Sequence, residues 1–403
     1  MSDRSPSVLW LAGALALGSA VSLGLARFSY ALLLPPMRAD LGWSYLTSGA
    51  MNTVNAAGYL VGALLMARLL GRVAPSVLFV GGMVATAITL AWHGAVTSDA
   101  ALYALRFASG LGSAATFVSG GLLAARLVVD RAGSASPEYG APSAGLVLGI
   151  YYGGTGVGIV ASALVVPPLV ARPVAHAWQA AWIGLGVLAL VAALVSAAAT
   201  RSARSDPGVR VVPARFERRP ILAGLCSYFL FGLGYIGYMT FVVTLLREHG
   251  LDAGVIVAFY ALLGVAVVAS SWLWAPLLQR SRGGEAMALL NGLLAVATVL
   301  PVVSAHPAAV FASGLLFGAV FLSVVASTTA LVRHNLPQVS WAGGIGAFTA
   351  VFAFGQIVGP SLVGWVADAA GGLRAGLACS AAVLVLAAAV AWWQKPFAPT
   401  PSA

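Results

Sequence analysis

Residues 107–111 read FASGL, and residues 311–315 read FASGL again. Five identical residues so far apart ask whether one unit has been copied. Two further pairs keep the same order. GTGVG at Gly154–Gly158 answers to GQIVG at Gly355–Gly359, and LAG at Leu11 answers to LAG at Leu222. Each pair alone is short and made of common residues. Together, at a similar offset of about 200 residues, they indicate two parallel repeats.

The repeated stretches lie in apolar surroundings. Of 403 residues, 60% are hydrophobic and 8% charged, where soluble domains carry about 25% charge. That composition defines an integral membrane protein. Gly and Pro interrupt the apolar runs, and none alternates with period two. This favours helices over an outer-membrane barrel. At about 20 residues per crossing, the sequence gives twelve spans. They cover approximately 8–35, 46–70, 76–96, 100–129, 143–171, 177–199, 220–246, 252–278, 284–304, 307–333, 340–368 and 372–394. The first run exceeds a signal-peptide core of about 7–15 residues and has a counterpart in the second repeat, so it is read as a retained helix. The expected fold is all-α: two pseudo-symmetric six-helix bundles, residues 1–199 and 220–403. Between them lies a polar linker, 200–219, with six arginines.

The net charge of +10 is a topology signal rather than a nucleic-acid footprint, because the arginines are spread over short loops. With the N-terminus inside, fifteen basic residues fall in inner loops and tails and four in outer loops. Arg27 and Arg106 fall within spans. Both termini are therefore expected on the cytoplasmic side of the inner (cytoplasmic) membrane. Cys226 and Cys379 sit in separate apolar runs and read as inert small hydrophobes.

These features resemble the major facilitator superfamily. RFASGLGSAA from Arg106 is similar to its fourth-helix motif, an arginine ahead of a ladder of small residues. GQIVGPSLVG, Gly355 to Gly364, is similar to its Gly-Pro motif, and WQAAW, Trp178 to Trp182, resembles the opening of its sixth helix with Gln179 in place of Arg. In the loop after span two, Gly71 and Arg72 fit the family pattern, but Arg68 stands where an Asp is usual. GLARFSYALLLP (Gly24 to Pro35) and MNTVNAAGY (Met51 to Tyr59) resemble, more narrowly, the YbfB/YjiJ-like branch. The resemblance implies a transporter whose first, fourth, seventh and tenth helices line a cavity.

Arg27 and Arg106 pose the chemical question. If span one ends at Pro35–Pro36, Arg27 lies about 12 Å below its outer end, and Arg106 roughly 9 Å deep. A guanidinium costs about 2.5–3.5 kcal/mol at mid-membrane even on the lenient insertion scale. Yet all eleven acids fall in loops, tails or span ends. The missing counterion is then a substrate anion, since the planar fork of Arg suits carboxylate or phosphate. Two structural alternatives stand beside this: Arg106 bracing helices through backbone carbonyls, and Arg27 snorkelling outward. Asn52, Asn55 and Tyr59 share one helical face and would orient the anion or bond helix to helix. Tyr30, Tyr235, Tyr238 and Gln356 complete the candidate substrate contacts, with Tyr228 on the same face as a packing residue. In the repeat alignment Tyr238 answers to Arg27, so charge is confined to the first half while the second offers phenols. Gly154, Gly158, Gly355, Gly359 and Pro360, with Gly71 and Arg72, are the candidate conformational residues. His93, beside Trp92, reads as interfacial.

No metal-ligand cluster, nucleophile–base pair or phosphate loop is present, so no catalytic residue, metal or cofactor is expected. The expected function is secondary transport of a small organic anion by alternating access. Its partners would be the lipid bilayer and a coupling proton or counter-substrate, with no nucleic acid. The alternatives are an exporter of multiple hydrophobic compounds, which would want an intramembrane acid to meet cations, and a transporter-like receptor, for which the short linker leaves little room.

Overall fold

The computed structural model describes residues 8–132, 144–200, 219–369 and 371–396. Among them the chain is helical and contains no strand. Helices satisfy their own backbone hydrogen bonds, which an apolar membrane interior demands. Twelve helices are long and apolar enough to cross a membrane. They are α1 (Val8–Leu41), α2 (Tyr45–Leu69), α3 (Pro75–His93), α4 (Asp99–Leu127), α5 (Gly145–Val170) and α6 (Ala177–Thr200). There follow α7 (Arg219–Glu248), α8 (Ala253–Arg280), α9 (Glu285–Val303), α10 (Pro307–Asn335), α11 (Gly343–Ala369) and α12 (Gly372–Trp392). The expected linker lies outside the described residues except for Thr200 and Arg219.

Eleven spans match the sequence reading to within about three residues, the usual scatter of helix ends. The exception is α1, which passes through Pro35 and Pro36 and ends at Leu41. Proline removes a donor and crowds the preceding turn, which in water tends to end a helix. In a membrane protein the freed groups have no water to turn to, and local changes of winding take up the irregularity. Such a change precedes the prolines: Ala20–Phe28 is π-helical, and the Ser29 amide reaches back to the Gly24 carbonyl at 3.0 Å. Arg27 therefore lies fourteen residues before the end of α1, about 21 Å rather than about 12 Å along the axis.

The chain divides into two compact units, Met1–Leu41 with Val54–Arg210 and Gly42–Thr53 with Val211–Ala403. The repeat recurs inside each as a pattern of close approaches. In the first unit α5 lies against α1: a Cβ on Gly154 would sit 2.0 Å from the Ala16 carbonyl oxygen, and one on Gly158 2.3 Å from that of Ala20. In the second unit α11 lies against α7 in the same way, with Gly355 against the Phe229 carbonyl (2.3 Å) and Gly359 against that of Leu233 (2.5 Å). Contacts this short exist only where no side chain intervenes, and small residues are what lets membrane helices approach so closely. The two FASGL glycines also match: Gly110 meets α2 at the Asn55 carbonyl, and Gly314 meets α8 at the Phe259 ring.

The opening turns of α2 belong with the second unit. The Tyr45 and Leu46 amides donate to the two carboxylate oxygens of Asp368 at 3.0 and 2.8 Å. The Tyr45 hydroxyl donates to Glu248, and the Thr53 hydroxyl reaches the Ile357 carbonyl at 2.6 Å.

Candidate functional site

The π-helical stretch of α1 presents a main-chain carbonyl to α4. Arg106 Nη1 donates to the Ala26 oxygen at 2.7 Å. The guanidinium lies over the Tyr30 ring (5.0 Å) and the Trp182 ring (5.7 Å), and the residue is fully buried. His93 also stacks on the Trp182 ring, at 4.4 Å. His93 is thus buried, not interfacial. It points into the unit while neighbouring Trp92, about 100° away around the helix, is 65% exposed. His93 Nδ1 meets the Thr89 carbonyl at 2.7 Å, and its Nε2 has no hydrogen-bond partner among the described residues.

Arg27 is placed differently. It is 3% exposed, yet Nε and Nη2 have no hydrogen-bond partner among the described residues. Those two nitrogens form one flat edge of the guanidinium, the edge that can grip both oxygens of a carboxylate. Arg27 and Arg106 both belong to the first unit, and the charge of one bears on the other. Of the acids, Asp40, Asp99, Glu248, Asp252, Glu285 and Asp368 lie at span ends or just beyond them. The other five lie outside the described side chains.

The two asparagines go to different units. Asn55 clamps α2 to α4, donating to the Arg106 carbonyl and to Ser109 Oγ, both at 3.0 Å. It thereby fixes the backbone that carries Arg106. Asn52 lies in the second unit and donates to Thr240 Oγ1 at 2.8 Å. Tyr59 stays in the first unit, against Phe117 at 6.5 Å. Tyr30 is buried beneath Arg106.

In the second unit Gln356 Nε2 donates to the Tyr235 hydroxyl, while Tyr238 shares a 2.7 Å hydrogen bond with Ser313. Tyr235 also stands in a stack that sequence reasoning missed. Tyr228, Phe231, Tyr235, Phe321 and Phe352 lie nearly parallel, with centroids 4.7–6.0 Å apart in successive pairs. Phe231 could have been found from its spacing to Tyr228 and Tyr235 on α7. Phe321 and Phe352 come from α10 and α11, and no local pattern announces them.

The remaining candidates are mechanical. Gly154, Gly158, Gly355 and Gly359 are the close-approach points already described. The Pro360 carbonyl meets Gly49 of α2, where a Cβ would sit 2.2 Å away. Gly71 and Arg72 form an exposed turn after α2, with the Arg72 amide on the Leu69 carbonyl at 2.9 Å. Trp178 and Trp182 of the WQAAW stretch are buried and donate to Asp40 and to the Met37 sulfur. No group of metal-binding side chains occurs among the described residues.

Twelve apolar helices in two repeat-related units follow a plan of membrane transporters. The chain belongs to the family described as uncharacterised MFS-type transporter YbfB, which matches residues 19–392. No curated protein matches it. Among solved structures it is similar to a bacterial homologue of the human lysosomal transporter Spinster in an inward-facing, occupied conformation, with TM-score 0.75 and 16% identity. That match covers 99% of this chain and 100% of the other. It is also similar to the nucleoside transporter NupG, with TM-score 0.71, 14% identity and coverage of 95% and 98%.

Proposed function

We propose that this transporter carries a small organic anion with a carboxylate group across the cytoplasmic membrane by alternating access, with both termini inside. The single observation behind this reading is the free Nε–Nη2 edge of buried Arg27. A desolvated charge is tolerated when it is paired, and the chain supplies no partner for that edge among its described residues. A carboxylate from solution completes it with two parallel charge-assisted hydrogen bonds. Arg106 then acts as a positioning residue. It holds the α1 carbonyl one residue before Arg27 and adds positive potential without giving up its own contacts. Asn55 supports it from behind. Tyr59, in the same unit, is a candidate orienting group. The positive-inside distribution of basic residues supports the orientation. Proton cotransport and exchange against a counter-substrate both fit this scheme.

One observation favours a second reading. The stack of Tyr228, Phe231, Tyr235, Phe321 and Phe352 suits an apolar or aromatic cargo, as an exporter of multiple hydrophobic compounds would need. The NupG likeness, at 14% identity, is a likeness of fold and brings no substrate with it.

A thermal-shift screen of monocarboxylates, phosphate esters and lipophilic cations on purified protein separates the two readings. A ligand that binds only the folded state raises the melting temperature by mass action. A carboxylate should stabilise the wild type and fail to stabilise Arg27→Ala, and it should be taken up by proteoliposomes holding the wild type. Equal stabilisation of both proteins would remove Arg27 as the anchor. A response to lipophilic cations alone would favour the exporter.

A further inference from the structure

Where α7 begins and α12 ends, the second unit holds an open cavity of about 520 Å³, lined by Arg219, Pro220, Trp393, Gln394 and Lys395 among others. One lining side chain, Gln394, is only 3% exposed. Its Nε2 donates to the Pro220 carbonyl at 2.8 Å and to the Lys395 carbonyl at 2.9 Å. Its Oε1 accepts the Gly224 amide at 2.9 Å, and its own carbonyl accepts the Gly284 amide at 2.8 Å. One buried residue therefore ties together the start of α7, the start of α9 and the chain leaving α12. Arg219 precedes one of the carbonyls it holds, and Lys395 carries the other. The backbone that carries each cation is held by this framework, so little backbone freedom is lost when a ligand bridges them.

Among the described residues the lining contains no carboxylate, and neither Arg219 nor Lys395 forms an ion pair. Beside the cavity, Trp392 and Trp393 are 70% and 73% exposed. Indoles at the end of a spanning helix mark the headgroup level of a bilayer. A basic cleft at that level, between spanning helices, has the chemistry to take a phosphate: a flat donor fork from Arg219 and a point charge from Lys395.

We propose that this cleft binds the phosphate of an anionic phospholipid from the adjoining leaflet, on the proposed orientation the cytoplasmic one. The lipid is favoured over free phosphate because the cleft lies beside exposed tryptophans, where the acyl chains of a bound lipid would lie along α12. The bound lipid would hold α7, α9 and α12 together at one end of the second unit. The proposal stands independently of what Arg27 binds.

The test uses delipidated, purified full-length protein, comparing wild type with Arg219→Gln/Lys395→Gln. Both residues are exposed, so the double variant should melt like wild type without lipid. The probes are short-chain phosphatidylglycerol, short-chain phosphatidylcholine and inorganic phosphate, read by thermal shift and by lipid retained in native mass spectra. Phosphatidylglycerol should stabilise the wild type, and the double variant should need about tenfold more for the same shift. Phosphatidylcholine and inorganic phosphate should shift neither. Equal response of wild type and variant to phosphatidylglycerol would overturn the site. Phosphatidylcholine matching phosphatidylglycerol would overturn the role of charge, and inorganic phosphate matching it would overturn the lipid.

Discussion

Arg106 Nη1 is 2.7 Å from the Ala26 carbonyl oxygen, and the next residue along, Arg27, keeps two buried nitrogens unbonded among the described residues. Two arginines of the same unit thus have opposite energetic characters. Removing Arg106 breaks a buried charge-assisted contact and strips the Tyr30 and Trp182 rings of their cation. Losses of this kind run to about 1.5–3 kcal/mol. Removing Arg27 takes away an unpaired cation whose insertion costs about 2.5–3.5 kcal/mol. Without ligand, Arg106→Met should therefore melt well below wild type in detergent, and Arg27→Met at or above it. Equal destabilisation by both would refute this division of roles.

The sequence made the spans legible because twenty apolar residues in a row have few other uses. The repeat was legible because close helix contacts at Gly154, Gly158, Gly355 and Gly359 leave only small residues as options. The role of Arg106 was foreseen as one of two alternatives, and the carbonyl it meets was not. That partner depends on the π-helical widening of α1, which no residue between Ala20 and Phe28 signals. The extension of α1 beyond Pro35–Pro36 was missed for a related reason: proline ends helices by a rule learned in water. His93 was misread because its neighbour Trp92 looked interfacial, and helical geometry sends adjacent residues to different sides. The Phe321–Phe352 part of the aromatic stack is assembled from separate helices and had no sequence signature at all.

Asp368 offers both carboxylate oxygens to the first amides of α2. A helix N-terminus carries about half a positive charge and has amides without internal partners. Asp368→Asn leaves one acceptor for two donors and removes the charge, a loss of about 0.5–2 kcal/mol. That change should loosen residues 42–53 from the second unit. The readout is maleimide labelling of Ser48→Cys, which is buried in the wild-type structure, in a background with Cys226 and Cys379 replaced. Labelling should rise several-fold with Asp368→Asn. An unchanged rate would mean that the contact does not hold the segment.

The glycines divide into those that touch backbone and those that do not. A Cβ at Gly154 would lie 2.0 Å from the Ala16 carbonyl oxygen, and at Gly355 2.3 Å from that of Phe229. Backbone cannot move aside as a side chain can, so the helices must part. At Gly13 and Gly292 a Cβ meets nothing within 4 Å, and alanine is the better helix former by about 0.5–1 kcal/mol. Gly154→Ala and Gly355→Ala should lower the melting temperature and abolish transport in proteoliposomes. Gly13→Ala and Gly292→Ala should leave both unchanged or raise stability slightly. Comparable damage at all four positions would show that the close approaches are not what these glycines are for.

His249, in the turn between α7 and α8, supplies the pH dependence. Arg374 Nε donates to its Nε2 at 3.3 Å, so the neutral ring is the acceptor and its Nδ1 carries the proton. Partial burial and then the Arg374 charge hold its pKa below the usual 6.5, against the opposing pull of Glu248. The folded protein thus binds a proton here less readily than the unfolded chain does. Stability from this group is complete above about 6.5 and declines as pH falls below it, levelling off once the folded form is also protonated. Protonation also sets two cations against each other at the old hydrogen bond. The melting temperature should fall between about pH 7.5 and about pH 5.5. His249→Gln, which keeps an acceptor for Arg374 and cannot titrate, should show a smaller fall. If the variant loses as much stability over that range as wild type, the acid sensitivity lies elsewhere.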